Sequence, residues 1–127
     1  MEHIKLASSE WNVLNCLWEE HPRTVMQIVN ELEKTVGWHR STTITTLHRM
    51  EAKGLIGCRQ AGRGKAYVPL VDRDGAETAE TRSFLDRVYR GSVGMMMSAM
   101  AQRRELSGEE IAELRAILDQ AEKEGVQ

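Results

Sequence analysis

The sequence predicts a mainly α-helical fold with a small β-hairpin: a winged helix-turn-helix over residues 1–71, then a helical dimerisation segment over residues 72–127. Three observations predict this fold. Three amphipathic helical patterns fill residues 8–54, two short apolar runs around a glycine-rich stretch follow, and the rest of the chain has helical periodicity throughout. The order helix, helix, helix, hairpin is that of a winged helix-turn-helix.

The first two helices are predicted from capping residues and apolar spacing. The first begins at Ser8 or Ser9, either of which is a favourable N-cap, and ends near Pro22. A capping box formed by Thr24 and Gln27 starts the second. The apolar stripes are Trp11, Leu14, Leu17 and Trp18 in the first helix, and Val25, Ile28, Val29 and Leu32 in the second.

The third helix is predicted to start at Ser41 as N-cap and to end at Gly54, which suits a left-handed C-cap. Its apolar face consists of Ile44, Leu47 and Met50. The opposite face is small, polar and rich in hydroxyls, with one long cation: Ser41, Thr42, Thr45, Thr46, His48 and Arg49. Hydroxyls and arginine can bind phosphates and base edges, so this helix is a candidate groove reader.

A basic hairpin supports the same interpretation. The net charge of −2 conceals a stretch from Trp38 to Tyr67 that has six basic residues and one acid. Within it, strands at 55–59 and 66–70 are predicted to flank a glycine-rich loop at 60–65, whose Arg63 and Lys65 suit phosphate or minor-groove contacts. The predicted DNA-binding residues are Arg40, Ser41, Thr42, Thr45, Thr46, Arg49, Arg63 and Lys65.

Residues 72–127 are predicted to form two or three amphipathic helices, interrupted near Gly91 and Gly94, with a last helix capped by Ser107 and Glu110. So short a segment cannot bury its own apolar stripes well, and a second copy of the chain is the simplest partner. The predicted dimerisation residues are Leu85, Val88, Tyr89, Met96, Met97, Met100, Leu114 and Leu118.

Composition excludes several classes of protein. A chain of 127 residues that is 41% hydrophobic and 28% charged has the composition of a folded soluble domain. No apolar run is long enough to cross a membrane and no secretory signal is present, so we expect a cytoplasmic protein with no membrane insertion. Cys16 and Cys58 are expected to be reduced thiols. The sequence has no catalytic motif and no histidine or cysteine spacing typical of a zinc site, so neither an enzyme nor a cofactor or metal is expected.

The ordered set of motifs resembles the penicillinase-repressor family, the BlaI/MecI/CopY type of bacterial transcriptional repressors. The resemblance rests on Ser9-Glu10-Trp11, on Trp38 followed by residues 41–56, on Tyr67, on residues 84–91 and on Leu106-Ser107 with the helix after it. Thr43 and Thr46 stand where the family usually has apolar residues.

The resemblance implies a homodimer on a palindromic, double-stranded DNA operator, often working with a membrane-embedded sensor peptidase. In the penicillinase branch the repressor is cleaved, and alignment on Leu106-Ser107 places the corresponding bond between Ala99 and Met100, where that branch has Asn-Phe. The copper branch has closely spaced C-terminal cysteines, whereas this chain has none after Cys58.

Two alternatives remain open from the sequence. The winged helix could be a protein-interaction module, in which case binding to every duplex would be weak. Alternatively, a repressor of this fold could respond directly to a small effector, a metal or oxidation of a thiol such as Cys58.

Overall fold

The computed structural model describes residues 5–125 and confirms a mainly helical fold with a small antiparallel sheet. The elements are α1 (Ser8–Glu19), β1 (Arg23–Thr24), α2 (Val25–Val36), α3 (Arg40–Ala52), β2 (Ile56–Ala61), β3 (Gly64–Pro69), α4 (Arg73–Tyr89), α5 (Val93–Gln102) and α6 (Gly108–Lys123). Two compact units divide the chain between Glu80 and Thr81. This division falls within α4, later than the predicted boundary after residue 71, because Ala76 is buried in the core of the first unit.

Helix α1 begins at Ser8, within the predicted range, but its N-cap differs from the prediction. Its N-cap is Ala7 and not Ser8 or Ser9, and the Ala7 amide donates to Oε1 of Glu10 at 2.8 Å. Glu10 therefore accepts from the N-cap amide, as the glutamate of a capping box does, although alanine has no side-chain acceptor to offer the first-turn amides in return.

Helix α2 has the predicted capping box. The Thr24 amide donates to Oε1 of Gln27 at 2.8 Å, and the Gln27 amide donates to Oγ1 of Thr24 at 3.2 Å. Gly37 ends the helix in a left-handed conformation with φ 75°.

Helix α3 is capped by His39 and not by Ser41, since Nδ1 of His39 accepts from the Ser41 amide at 3.2 Å. Gly54 follows the helix with φ 80°, as predicted. The Leu55 amide then donates to the Met50 carbonyl at 3.0 Å, which turns the chain towards β2.

The sheet has three strands in the order β1-β3-β2, all antiparallel. The hairpin is longer than predicted, because Ala61 pairs with Gly64 and only Gly62 and Arg63 remain in the turn. Gly62 has φ 60°, which suits the first position of a two-residue hairpin turn. Sequence reasoning missed β1, which is only two residues long.

The core of the first unit lies between α1, α2, α3 and the sheet. Its largest fully buried side chains are Leu14, Leu17, Ile28, Leu32, Leu47, Met50, Ile56, Val13 and Thr43. Trp11 and Trp18 pack against this core and meet edge to face, with ring centroids 5.8 Å apart. Nε1 of Trp18 also donates to the Val71 carbonyl at 2.9 Å, which holds the end of the hairpin segment against α1.

In the second unit, the interruption predicted near Gly91 is present, whereas Gly94 lies inside α5 and does not interrupt it. The break between α4 and α5 occurs at Arg90 and Gly91, which have φ 51° and φ 82°. Ser107 caps α6, because its hydroxyl accepts from the Glu110 amide at 3.1 Å. Among residues 5–125 no helix is both long and apolar enough to cross a bilayer.

Candidate nucleic-acid interface

One face of α3 is buried and the opposite face is exposed, and this fixes which side chains a ligand can reach. Leu47 and Met50 are 1% and 0% exposed and hold the helix against the core. Thr42, Thr45 and Arg49 recur at helical spacing on the other side, and all of them are exposed. These three predicted residues therefore share one accessible surface.

Thr46 was predicted to lie on this surface, and that prediction is wrong. The residue is 3% exposed and its hydroxyl donates to the Thr42 carbonyl at 2.8 Å. Thr43 is also buried, whereas Ile44 is only half-buried. The buried face of α3 is thus rotated towards Thr43 and Thr46.

The N-terminus of α3 presents two further predicted residues, Arg40 and Ser41, and both are exposed. Nδ1 of His39 accepts from the Ser41 amide and lies 3.0 Å from the Ser41 hydroxyl. Because Nδ1 already accepts from the amide, it carries no proton, and the hydroxyl donates to it as well. The Thr42 and Thr43 amides donate to the His39 carbonyl at 3.0 and 3.3 Å, so an anion such as a phosphate would be favoured here by the Arg40 cation and the positive end of the helix dipole.

The hairpin places its cations on regular backbone. Arg63 occupies the turn and Lys65 lies on β3 opposite Gln60, so the predicted flexible loop around Lys65 is replaced by a paired strand. Arg59 lies on β2 opposite Ala66. All three cations are exposed. The hairpin of β2 and β3, which is the wing of the fold, therefore has a basic edge on a hydrogen-bonded pair of strands.

Two polar contacts secure the C-terminal end of α3, and sequence reasoning found neither. Nζ of Lys53 bonds Oε2 of Glu10 on α1, and the Tyr67 hydroxyl on β3 donates to Oε1 of Glu51 at 3.4 Å. The partners are 43 and 16 positions apart along the chain. No local pattern signals such pairs; an acid in the first turn of a helix is ordinarily read as a capping residue.

The Glu10 carboxylate is charged despite its burial. Burial alone would raise the pKa of Glu10, but hydrogen bonds from Lys53 and from the Ala7 amide, with the positive charges of Lys53 and Arg49, outweigh burial and lower it. The opposite shift applies to Tyr67, whose pKa is raised by burial and then by the negative charge of Glu51.

The predicted dimerisation residues differ in exposure. Leu85 is 5% exposed within the single chain, so it packs internally and is removed from the predicted interface. Val88 and Leu118 are 45% and 66% exposed. The remaining members are half-buried: Tyr89, Met96, Met97, Met100 and Leu114.

The predicted cleavage position lies inside a helix. Ala99 and Met100 are both half-buried near the end of α5. The Ala99 carbonyl accepts from the Arg103 amide at 3.2 Å, so this backbone is already hydrogen-bonded.

No cluster of three or more metal-ligating side chains occurs within residues 5–125. Cys16 is buried, Cys58 is exposed, and both are free thiols. Burial raises the pKa of Cys16, which favours its uncharged form.

Comparison with known proteins agrees with a nucleic-acid interface at this site. A family model described as Penicillinase repressor matches residues 6–120. The penicillinase repressor of Bacillus licheniformis is 31% identical over 116 residues, or 91% of each chain. The methicillin resistance regulatory protein MecI of Staphylococcus aureus (strain N315) is 27% identical over 115 residues, which cover 91% of this chain and 94% of MecI.

The fold of this chain also matches that of a solved structure. It is the solution structure of the Bacillus licheniformis BlaI monomeric form in complex with the blaP half-operator, with a TM-score of 0.52 and 26% identity. The match covers 58% of this chain and 90% of that chain. The predicted winged-helix fold is thereby confirmed.

Proposed function

Because the chain belongs to the penicillinase repressor family of DNA-binding transcriptional repressors, we propose that it binds a palindromic operator sequence-specifically as a homodimer. One observation carries the DNA-binding part of this proposal. Thr42, Thr45 and Arg49 share an exposed face of α3, and the opposite face of the same helix is buried in the core. A helix held in this way can enter the major groove with its reading face outward.

Each part of the interface has its own task. Arg49 forks onto a guanine edge, while the hydroxyls of Thr42 and Thr45 donate to bases or phosphates and their methyl groups contact thymine methyls. Arg40 and Ser41 hold a phosphate at the start of α3. Arg63 and Lys65 contact the backbone beside the groove and contribute affinity that does not depend on sequence.

The second unit supplies the pairing surface of the homodimer. Val88, Ile117 and Leu118 are 45%, 53% and 66% exposed, so a partner that covered them would remove a large apolar area from water. Two copies related by a twofold axis would bury this surface, and a twofold dimer of this kind reads two half-sites about one DNA turn apart, or a multiple of it.

Release of the operator is proposed to follow cleavage at Ala99-Met100 by a membrane-embedded sensor peptidase. The end of α5 must open before the bond can be cut, because the Ala99 carbonyl is engaged by the Arg103 amide. Cleavage there separates α6 from the rest of the chain and so removes Leu118 from the pairing surface. Incubation with the candidate peptidase and intact-mass analysis tests whether this bond is cut.

The DNA-binding proposal is tested by fluorescence anisotropy with the chain's own upstream DNA and a shuffled duplex of equal length. A specific reader binds the upstream duplex about a thousandfold or more tightly than the shuffled one. Equal, weak binding to both duplexes that vanishes with salt would instead favour the protein-interaction module.

A further inference from the structure

Two cations one helical turn apart at the end of α3 have different partners. The Arg49 side chain is exposed and makes no hydrogen bond or ion pair with any residue from 5 to 125, although its charge helps to lower the pKa of Glu10. The Lys53 side chain is 56% exposed, yet its ammonium group is bonded to Glu10 on α1. One cation is therefore available to an external anion, and the other is already neutralised within the protein.

Glu10 is a strong anchor for Lys53 because the carboxylate is buried. Its side chain is only 8% exposed, and both oxygens are engaged, Oε1 by the Ala7 amide at 2.8 Å and Oε2 by Lys53. Removing Lys53 from this position would leave a buried carboxylate without its cation, which is strongly unfavourable. The Lys53 ammonium group therefore stays bonded to Glu10 of α1 unless Glu10 loses its charge.

We propose that Glu10 is a positioning residue that limits sequence-independent DNA binding. It holds the ammonium group of Lys53 against α1, so that Arg49 is the sole cation that the last turn of α3 offers to DNA. The inference rests on the proposed function, since it concerns the same end of α3. Each additional lysine on a phosphate strengthens binding to any duplex and steepens its salt dependence by about 0.9. A non-specific complex can shift along the duplex until a free Lys53 meets a phosphate, whereas base contacts fix the register of an operator complex.

The test compares the wild-type chain with Glu10→Gln in anisotropy titrations against the shuffled duplex at several salt concentrations. Glutamine keeps an oxygen for the Ala7 amide and removes only the charge that holds Lys53. We expect the variant to bind the shuffled duplex more tightly, with a log–log salt slope steeper by about 0.9, so that its affinity falls about threefold further between 50 and 200 mM salt. The ratio of operator affinity to shuffled affinity should fall.

A second variant tests whether the steeper salt slope of Glu10→Gln comes from Lys53. Glu10→Gln/Lys53→Met has neither charge, so no buried ion is left unpaired, and its salt slope should return to the wild-type value. Thermal unfolding of each variant separates a stability effect from the DNA readout. A Glu10→Gln chain that is less stable but has the wild-type slope would overturn the inference, as would a steeper slope that persists in the double variant.

The same titrations distinguish failure of the inference from failure of the proposed function. If wild type does not discriminate the operator from the shuffled duplex, the proposed function is wrong. If wild type discriminates and the slope is unchanged in Glu10→Gln, only the role of Glu10 is wrong.

Discussion

The Tyr67 hydroxyl on β3 donates a hydrogen bond to Oε1 of Glu51 on α3, with 3.4 Å between the two oxygens. Tyr67 is 3% exposed, so its ring belongs to the core while its hydroxyl reaches the surface of the helix. The bond joins the strand that leaves the wing to the last turn of the proposed reading helix. Wing and helix are thereby held in one relative orientation, which a ligand that contacts both would need.

The first prediction removes this bond. Tyr67→Phe keeps the ring in the core, so we expect the free energy of unfolding to fall by only about 1 kcal/mol at neutral pH, measured by urea denaturation. Because folding raises the pKa of Tyr67, its contribution is present below the ordinary tyrosine value and is lost as pH rises through the higher folded value. The difference between wild type and variant should therefore shrink above about pH 10.

The matched control is Tyr89→Phe in the second unit, whose hydroxyl makes no hydrogen bond to the described residues, although its ring meets Phe84 at 6.0 Å. Its loss of stability should be smaller. Equal losses in the two variants would show that the bond to Glu51 contributes nothing measurable.

The second prediction concerns a threonine that the core would accommodate better as valine. Thr43 is 0% exposed and its hydroxyl has no hydrogen-bond partner among the described residues. An unsatisfied buried hydroxyl is destabilising by about 1–3 kcal/mol, and valine has nearly the same shape. Thr43→Val should therefore raise the free energy of unfolding by at least about 1 kcal/mol, measured by urea denaturation.

Thr45→Val is the matched control for this experiment, because Thr45 is exposed on the same helix. It should change stability by no more than about 0.5 kcal/mol. A Thr43→Val chain that is no more stable than wild type would mean that the hydroxyl is satisfied in solution.

Sequence reasoning recovered the elements whose ends are set locally. The capping boxes at Thr24 and Ser107 and the left-handed Gly54 lie where predicted, because each depends on residues within one helical turn. The N-cap of α1 is Ala7 and not the predicted Ser8 or Ser9, because Glu10 satisfies the Ala7 amide, an arrangement that a search for serine caps does not detect. Strand β1 was missed because two residues carry no periodicity and gain their conformation from β3.

The candidate site was predicted only in part, because some of its features depend on nearby residues and others depend on packing. Helical spacing places Thr42, Thr45 and Arg49 on one face whatever the rest of the chain does. Which face is buried depends on the packing of α3, and Thr46 was misassigned because its hydroxyl can be satisfied by the Thr42 carbonyl inside the helix. The bond between Glu10 and Lys53 exists only after α1 and α3 have packed together.

The third prediction follows from the lowered pKa of Glu10. Because the folded pKa lies below the ordinary value of 4.5, Glu10 contributes stability that is present above that value and is lost as pH falls through the folded pKa. Wild type should be more stable than Glu10→Gln at about pH 7, and the difference should shrink towards about pH 3. Urea denaturation at a series of pH values measures it. A deficit in the variant that stays constant down to the lowest pH would show that the charge of Glu10 is not responsible.

The fourth prediction separates base reading from phosphate binding. Arg49→Ala should weaken operator binding by about 1–3 kcal/mol and reduce discrimination against a changed base pair, because a forked contact to a base is lost. Lys65→Ala should weaken binding to every duplex alike and lower the salt slope by about 0.9. Anisotropy titrations at several salt concentrations measure both effects.

Arg115→Ala, an exposed arginine on α6, is the control for removing a positive charge away from the proposed interface. It should leave both the operator affinity and the slope close to wild type. If Lys65→Ala changes the preferred sequence, the wing reads bases; if Arg49→Ala leaves operator affinity intact, Arg49 is not a reader.

The fifth prediction concerns the proposed homodimer. Leu118 is 66% exposed on α6, so a glutamate at this position is tolerated by the single chain but places a desolvated charge in any interface that covers it. Wild type should sediment as a dimer at micromolar concentration, and Leu118→Glu should sediment as a monomer with unchanged helix content by circular dichroism. Met26→Glu, at a 45% exposed position on α2, is the matched control and should remain dimeric. Dimers in all three chains would place the interface away from Leu118, whereas a monomeric wild type would contradict the homodimer itself.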